Sequence, residues 1–299
     1  MTGFEELKNL MLERGIAFRE NASGAELSTF RTGGPVSLLA MPGNVDDIRA
    51  LVLKSRDLGA PYFVIGNGSN ILIPDEGLDT LFIKLCDDFE QYRIEGETLF
   101  CGAGASMAAA AKYSVAMGLM GLEWAAGIPG TVGGAVAMNA GAYNGEIGNV
   151  IRKVTCIKDG ELFESEVKDG DMGYRRSAYS YPDAIVLSAE FALSADDGGA
   201  RSRMEDYTRR RREKQPLQYP SAGSTFKRPA GNFAGKLIEE AGLKGLSIGG
   251  AEVSEKHAGF IINKGGATSR DVLDLISLVQ NKVCEAFGVM LEPEVKILK

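Results

Sequence analysis

Histidine is all but missing from this sequence: His257 is the only one in 299 residues. That excludes a multi-histidine metal centre. The four cysteines, Cys86, Cys101, Cys156 and Cys284, are scattered and form no Cys-x-x-Cys pair. Their spacing fits free thiols in a reducing compartment better than a disulfide frame or a zinc site. No Gly-x-x-x-x-Gly-Lys-Ser/Thr occurs, so a phosphate loop of the ATPase type is out. No apolar run reaches membrane-spanning length, and the acidic, amphipathic opening Met-Thr-Gly-Phe-Glu-Glu-Leu-Lys lacks a basic-then-apolar signal peptide. The expectation is a soluble, cytoplasmic protein. A formal net charge of -7 argues against nucleic acid as the partner.

What the chain has in excess is glycine, 38 residues of it, gathered into particular stretches. Between Gly127 and Gly148 almost every residue is small, so backbone amides there can approach a ligand that bulkier side chains would hold away. Upstream, Val-Ile-Gly66-Asn67-Gly68-Ser69-Asn70 reads as a buried-type strand entering a tight polar turn, whose successive amides suit a phosphate or pyrophosphate. The nearest approach to a dinucleotide fingerprint is Gly102-Ala-Gly104-Ala-Ser106-Met107. It puts Met107 where close helix packing needs Gly or Ala, and reads instead as an ordinary strand-turn-helix join.

The turn Gly66-Asn67-Gly68-Ser69-Asn70, followed by Gly127-Ile128-Pro129-Gly130-Thr131-Val-Gly133-Gly134-Ala135-Val-Ala-Met-Asn139-Ala-Gly141-Ala142-Tyr143, resembles the FAD-binding core of the UDP-N-acetylenolpyruvoylglucosamine reductase family. The resemblance runs from about residue 28 to the C-terminus. It implies an α+β protein: a two-lobed FAD-binding domain of the type shared with vanillyl-alcohol and p-cresol oxidases, plus a C-terminal α+β domain that holds substrate. It implies bound FAD, with NADPH as reductant, and a small-molecule substrate, UDP-N-acetylglucosamine-enolpyruvate, reduced to UDP-N-acetylmuramate for the bacterial cell wall. The expected state is a monomer that engages neither membrane nor metal.

Periodicity predicts a helix over residues 4–14, a strand from Val36 to Met41, a helix from Val45 to Leu58 capped by Asn44, and a strand from Tyr62 to Ile65. A helix from Ser106 to Met117 follows, then a hairpin turning at Asp159-Gly160 and a strand near 184–193. The turn-rich Ser194-Ala-Asp-Asp-Gly-Gly199 marks a boundary. The division expected is a lead-in over 1–27, an FAD domain over 28–195 with lobes of about 28–85 and 86–195, and a substrate domain over 201–299.

The basic run Arg209-Arg-Arg-Arg212 follows Glu205 and Asp206 by one turn and reads as a salt-bridged helix face. Thr268-x-x-Asp271 opens a long amphipathic helix with Val272, Leu275, Ile276, Val279 and Val283 on one face. The last strand is expected to be Val289 to Leu298.

On composition alone, Ser224 in its Gly turn is a capping residue, Glu294 is an exposed strand-edge carboxylate, and Arg175 is either a surface arginine or the partner of a planar carboxylate. The resemblance assigns these residues chemistry. Ala222-Gly-Ser224-Thr-Phe-Lys227-Arg-Pro229 is similar to the segment whose serine donates a proton to substrate carbon. Leu291-Glu292-Pro-Glu294-Val-Lys is similar to the closing motif whose second glutamate is catalytic. Tyr174-Arg175-Arg176-Ser177 fits a Tyr-Arg-x-Ser motif. Arg175, Ser224 and Glu294 are therefore the expected catalytic residues, and Tyr174, Lys227 and His257 the expected substrate contacts, with His257 structural or substrate-lining. The chain passes from Asn263 to Thr268 straight into its helix and so resembles the family's shorter form. Two other readings stay open: an oxidase of the same FAD fold, and a non-catalytic binder of flavin or nucleotide sugar.

Overall fold

The computed structural model describes residues 3–299. The chain packs as two units. Of the described residues, 3–20, 37–66 and 79–210 form the first, and residues 21–36, 67–78 and 211–299 the second. Each has its own core. One is built around Leu7, Ile48, Leu81, Leu99, Trp124 and Phe191, the other around Phe30, Leu72, Leu237, Leu275 and Val279. The expected division was contiguous, whereas the packing draws two early segments into the second unit.

In the first unit, helix Val45–Asp57 begins at Asn44, whose side chain accepts from Asp47 N–H, an end that otherwise leaves an orphan donor. This helix shares a core with a four-stranded sheet ordered Ala17–Ser23, Pro35–Met41, Leu78–Lys84 and Tyr62–Ile65, which belongs to this unit apart from residues 21–23, 35–36 and 78. Helix Met107–Ala116 is capped by Ser106 and follows strand Thr98–Gly102 of a five-stranded antiparallel sheet. At the join the glycines close a gap between backbones: a Cβ on Gly102 would stand 2.2 Å from Phe89 O. The hairpin turning at Asp159-Gly160 joins Ile151–Lys158 to Glu161–Glu166 in register.

In the second unit, a meander of Ser247–Ile248, Ala251–Val253 and Ile261–Asn263 packs with the helices Ala234–Glu240 and Ser269–Phe287. The longer helix starts at a reciprocal Thr268–Asp271 capping box and ends at Gly288, φ +69°. Its predicted apolar face, Val272, Leu275, Ile276, Val279 and Val283, is buried. The expected terminal strand shrinks to Lys296–Ile297, because Pro293 cannot donate to a ladder. That short strand pairs in parallel with Ile71–Leu72, which brings residues 67–78 into this unit. Among the described residues no helix is long and apolar enough to cross a membrane.

Candidate active site

The glycine stretch holds itself together before it can hold anything else. Thr131 caps the short helix Val132–Ala137 and accepts from Gly134 N–H at 3.3 Å. Val132 N–H donates to Ala105 O at 2.9 Å, and Gly133 N–H to Ala103 O at 2.8 Å. A Cβ on Gly133 would lie 2.8 Å from that of Ala103, and one on Gly66 would lie 2.4 Å from Thr131 Oγ1. These glycines let backbones touch, and the amides of Val132, Gly133 and Gly134 are bonded inside the protein. Thr131 and Ala135 are buried with them. The uncovered part is Gly127 to Gly130 and Gly134, with Pro129 and Gly134 exposed. A side chain on Gly134 would meet only Thr131 Oγ1, at 3.4 Å. That bare strip of main chain is a surface a flat ligand can lie against.

Both ends of the stretch are pinned to helix Ala200–Lys214. Buried Glu123 accepts from Gly121 N–H at 2.6 Å and from Arg203 Nε and Nη2 at 2.9 and 2.8 Å. Tyr143 stacks on Tyr207 with centroids 4.6 Å apart and donates to Tyr207 O at 3.1 Å. On the same helix Asp206 bonds both Arg209 and Arg210, so these two run as an ion-paired face. Sequence reasoning missed the Glu123 and Tyr143 anchors, because their partners lie some 60 to 80 positions along the chain.

Arg175 sits at the tip of a tight turn between Met172–Gly173 and Arg176–Ser177, with φ +54°. An L-residue pays for that conformation, so the turn needs support. Asn139 gives it. This fully buried residue donates from Nδ2 to Gly173 O at 3.0 Å and accepts at Oδ1 from Gly148 N–H at 2.8 Å. Its side chain is thus consumed by main chain. The Arg175 guanidinium donates to Gly141 O at 3.3 Å and lies 5.1 Å from the ring centre of exposed Tyr174. Arg175, Asn139, Gly141 and Ala142 are therefore gathered at one place.

The segments that carry Ser224 and Glu294 adjoin in the second unit. Phe226 and Pro293 form an antiparallel bridge. Glu294 N–H donates to Thr225 O and Lys227 N–H to Glu292 O, each at 2.8 Å. Ser224 is exposed and Glu294 half-buried. The residue between them in space is Thr225, which is 1% exposed, donates N–H to Gly259 O at 2.8 Å and accepts at Oγ1 from Ile261 N–H at 3.0 Å. Asn70 closes the other side: its Nδ2 donates to Glu294 O at 3.2 Å, and its carbonyl accepts from Lys296 N–H at 3.0 Å. In the same turn Gly68 has φ +63°, and a Cβ there would fall 1.8 Å from Leu27 O, so only glycine fits.

Lys227 is ion-paired to Glu292, which separates the two terminal glutamates: Glu292 is exposed and engaged, Glu294 lines the Ser224 segment. His257 lies in a turn beside Gly259, with its pKa lowered from 6.5 chiefly by burial. Among the described residues no three His, Cys, Asp or Glu side chains are gathered for a metal.

The FAD binding domain model matches residues 36–165, and the model for the C-terminal domain of UDP-N-acetylenolpyruvoylglucosamine reductase matches residues 215–298. The reductase of Clostridium botulinum strain Hall is 50% identical over 273 residues, spanning 91% of this chain and 89% of its own length. The chain belongs to the UDP-N-acetylenolpyruvoylglucosamine reductase family. The reductase of Syntrophomonas wolfei is 46% identical over 275 residues, 91% of this chain and 92% of its own. The crystal structure of the reductase from Thermus caldophilus superposes with a TM-score of 0.82 at 34% identity, covering 95% of this chain and 99% of that one. As a family member the chain is an FAD-containing oxidoreductase with an α+β fold, as the glycine motifs implied.

Proposed function

We propose that this protein reduces the enolpyruvyl double bond of UDP-N-acetylglucosamine-enolpyruvate to give UDP-N-acetylmuramate. When bound, FAD reduced by NADPH would supply the hydride that adds to the methylene carbon of the enolpyruvyl group. The uncovered main chain of Gly127, Ile128, Pro129, Gly130 and Gly134, the carbonyl end of the stretch at Gly141 and Ala142, and the turn residues Asn67, Ser69 and Asn70 are the groups that would hold it. Gly66, Gly68, Thr131, Gly133, Ala135 and Asn139 act one step back by fixing that backbone.

Adding hydride at the methylene carbon leaves negative charge on the α-carbon, delocalised into the carboxylate. Arg175 pairs with that carboxylate, and the stabilisation grows as charge forms. When protonated, Glu294 would donate a hydrogen bond to the developing enolate oxygen. Ser224 delivers a proton to the α-carbon, which completes the addition of one hydride and one proton. Tyr174, Lys227 and His257 belong to the substrate surroundings. Residues 28–195 serve the flavin and residues 201–299 the substrate, in a cytoplasmic monomer.

The observation that carries this reading is the main-chain bond from Glu294 to Thr225, which seats the expected acid and the expected carboxyl on adjoining segments of one unit. Stopped-flow spectroscopy tests it. With Ser224→Ala, reduction by NADPH stays near the normal rate, while reoxidation by the enolpyruvyl substrate slows about 10²- to 10⁴-fold, the scale of a lost general acid. Reoxidation at the normal rate removes Ser224 from the role.

A further inference from the structure

The chain's single histidine lies in a tightly closed turn. Ser254 Oγ accepts from Lys256 N–H at 3.2 Å and His257 N–H at 3.3 Å, and Ser254 N–H donates to Phe260 O at 2.9 Å. The imidazole meets the Phe260 ring at 4.9 Å, steeply tilted, and a Cβ on Gly235 would come within 3.3 Å of its Cε1. At the centre of the turn His257 Nδ1 accepts from Gly259 N–H at 3.1 Å. An imidazole nitrogen accepts only while it lacks a proton, so this bond belongs to the neutral ring with its proton on Nε2.

Gly259 faces the other way as well. Its carbonyl accepts from Thr225 N–H at 2.8 Å, and Thr225 directly follows Ser224. Two hydrogen bonds and one glycine thus join the ring to the Ser224 segment.

We propose that His257 is a positioning residue for Ser224: the neutral ring holds Gly259, Gly259 holds Thr225, and a proton on Nδ1 releases the segment and slows proton delivery to substrate. The inference rests on Ser224 being the proton donor. Protonation would set two N–H groups against each other where one lone pair had been.

The net effect of the surroundings is to lower the ring's pKa from 6.5. Burial is the largest cause; a hydrogen bond to the residue's own backbone raises it, Lys244 and Lys214 lower it, and Glu239, ion-paired to Lys244 at 2.6 Å, raises it. On the turn itself Glu255 and Lys256 are exposed, and Lys256 Nζ donates to Arg212 O at 2.6 Å.

A lone histidine makes the test direct, because its ring signals need no assignment among others. In the FAD-loaded enzyme, ring nitrogen and backbone amide NMR signals are followed from about pH 8 to about pH 5, and the Thr225 amide is expected to move with the ring's titration. Over that range reoxidation by enolpyruvyl substrate is expected to fall about 10- to 100-fold, as for a misplaced reacting group, while reduction by NADPH does not follow. In His257→Asn, whose Oδ1 offers an acceptor that does not titrate, the reoxidation rates at the two ends of that pH range are expected to become nearly equal, whatever the rate at neutral pH. His257→Ala is expected to be slow throughout. A Thr225 amide indifferent to the ring's titration overturns the coupling even if both variants fail to fold. Normal reoxidation in His257→Ala overturns it too, when Ser224→Ala is slow. Normal reoxidation in Ser224→Ala instead sinks the donor assignment, and this inference with it.

Discussion

Thr225 shows how much a single unreactive side chain can decide. It is buried between Ser224 and Glu294 and has all its polar groups engaged, with Gly259, Ile261 and Glu294. Thr225→Val keeps the shape and leaves Ile261 N–H without an acceptor, at a cost of about 1–3 kcal/mol. A urea midpoint lowered accordingly is the expected result, and an unchanged midpoint would show the hydroxyl to be idle. The two terminal glutamates give a sharper contrast. Glu292 forms an exposed pair with Lys227, and such pairs are worth at most about 1 kcal/mol. Glu292→Ala should therefore leave both stability and reoxidation near normal, whereas Glu294→Ala should slow reoxidation about 10²- to 10³-fold, as for a lost oxyanion donor. Equal effects of the two substitutions would contradict the assignment. Sequence could name Ser224 and Glu294 because their motifs are local. Thr225 escaped because its partners come from turns and strands far along the chain.

Elements that announce their own ends were read well. Asn44, Ser106 and Thr268 each cap the helix the pattern called for, and each side chain accepts from an N–H of the first turn. The apolar stripe from Val272 to Val283 is buried as its spacing required. The tight turn carrying Arg175 is different, since its strands are two residues each and cannot stand alone. It depends on Asn139, which binds it to the glycine stretch. Asn139→Ala removes both bonds and puts alanine at φ +46°, so a loss of at least about 2 kcal/mol is expected. Thermal denaturation measures it, and an unaltered melting curve would take that supporting role away. The glycine stretch was legible as small and unusual, but not in its purpose. Composition shows that side chains are missing; only the fold shows that at Gly66 and Gly133 the space is filled by other parts of the protein.

For the molecule as a whole, burial sorts the four free cysteines into two kinds. Cys101 and Cys156 are buried, and burial raises both thiol pKa values, that of Cys101 to about 12. Cys86 and Cys284 are half-exposed. A chromogenic disulfide reagent near neutral pH should titrate Cys284 and, more slowly because burial raises its thiol pKa too, Cys86 in the native protein, and Cys101 and Cys156 only after denaturation, because the reagent must reach the sulfur and the thiolate is the reacting form. Modification of all four at one rate would contradict the burial of Cys101 and Cys156 in the first core. The division into units was the least legible feature of all, because it depends on Lys296–Ile297 choosing Ile71–Leu72 as a neighbour. No local pattern encodes a pairing across that much chain.

The polypeptide passes from one unit to the other between residues 20 and 21, 36 and 37, 66 and 67, 78 and 79, and 210 and 211. No single scission can release either unit whole, and no contiguous gene fragment encodes one. Exchange of parts with a relative would have to import the early segments along with the late ones. The two cores are thus inherited, expressed and lost together.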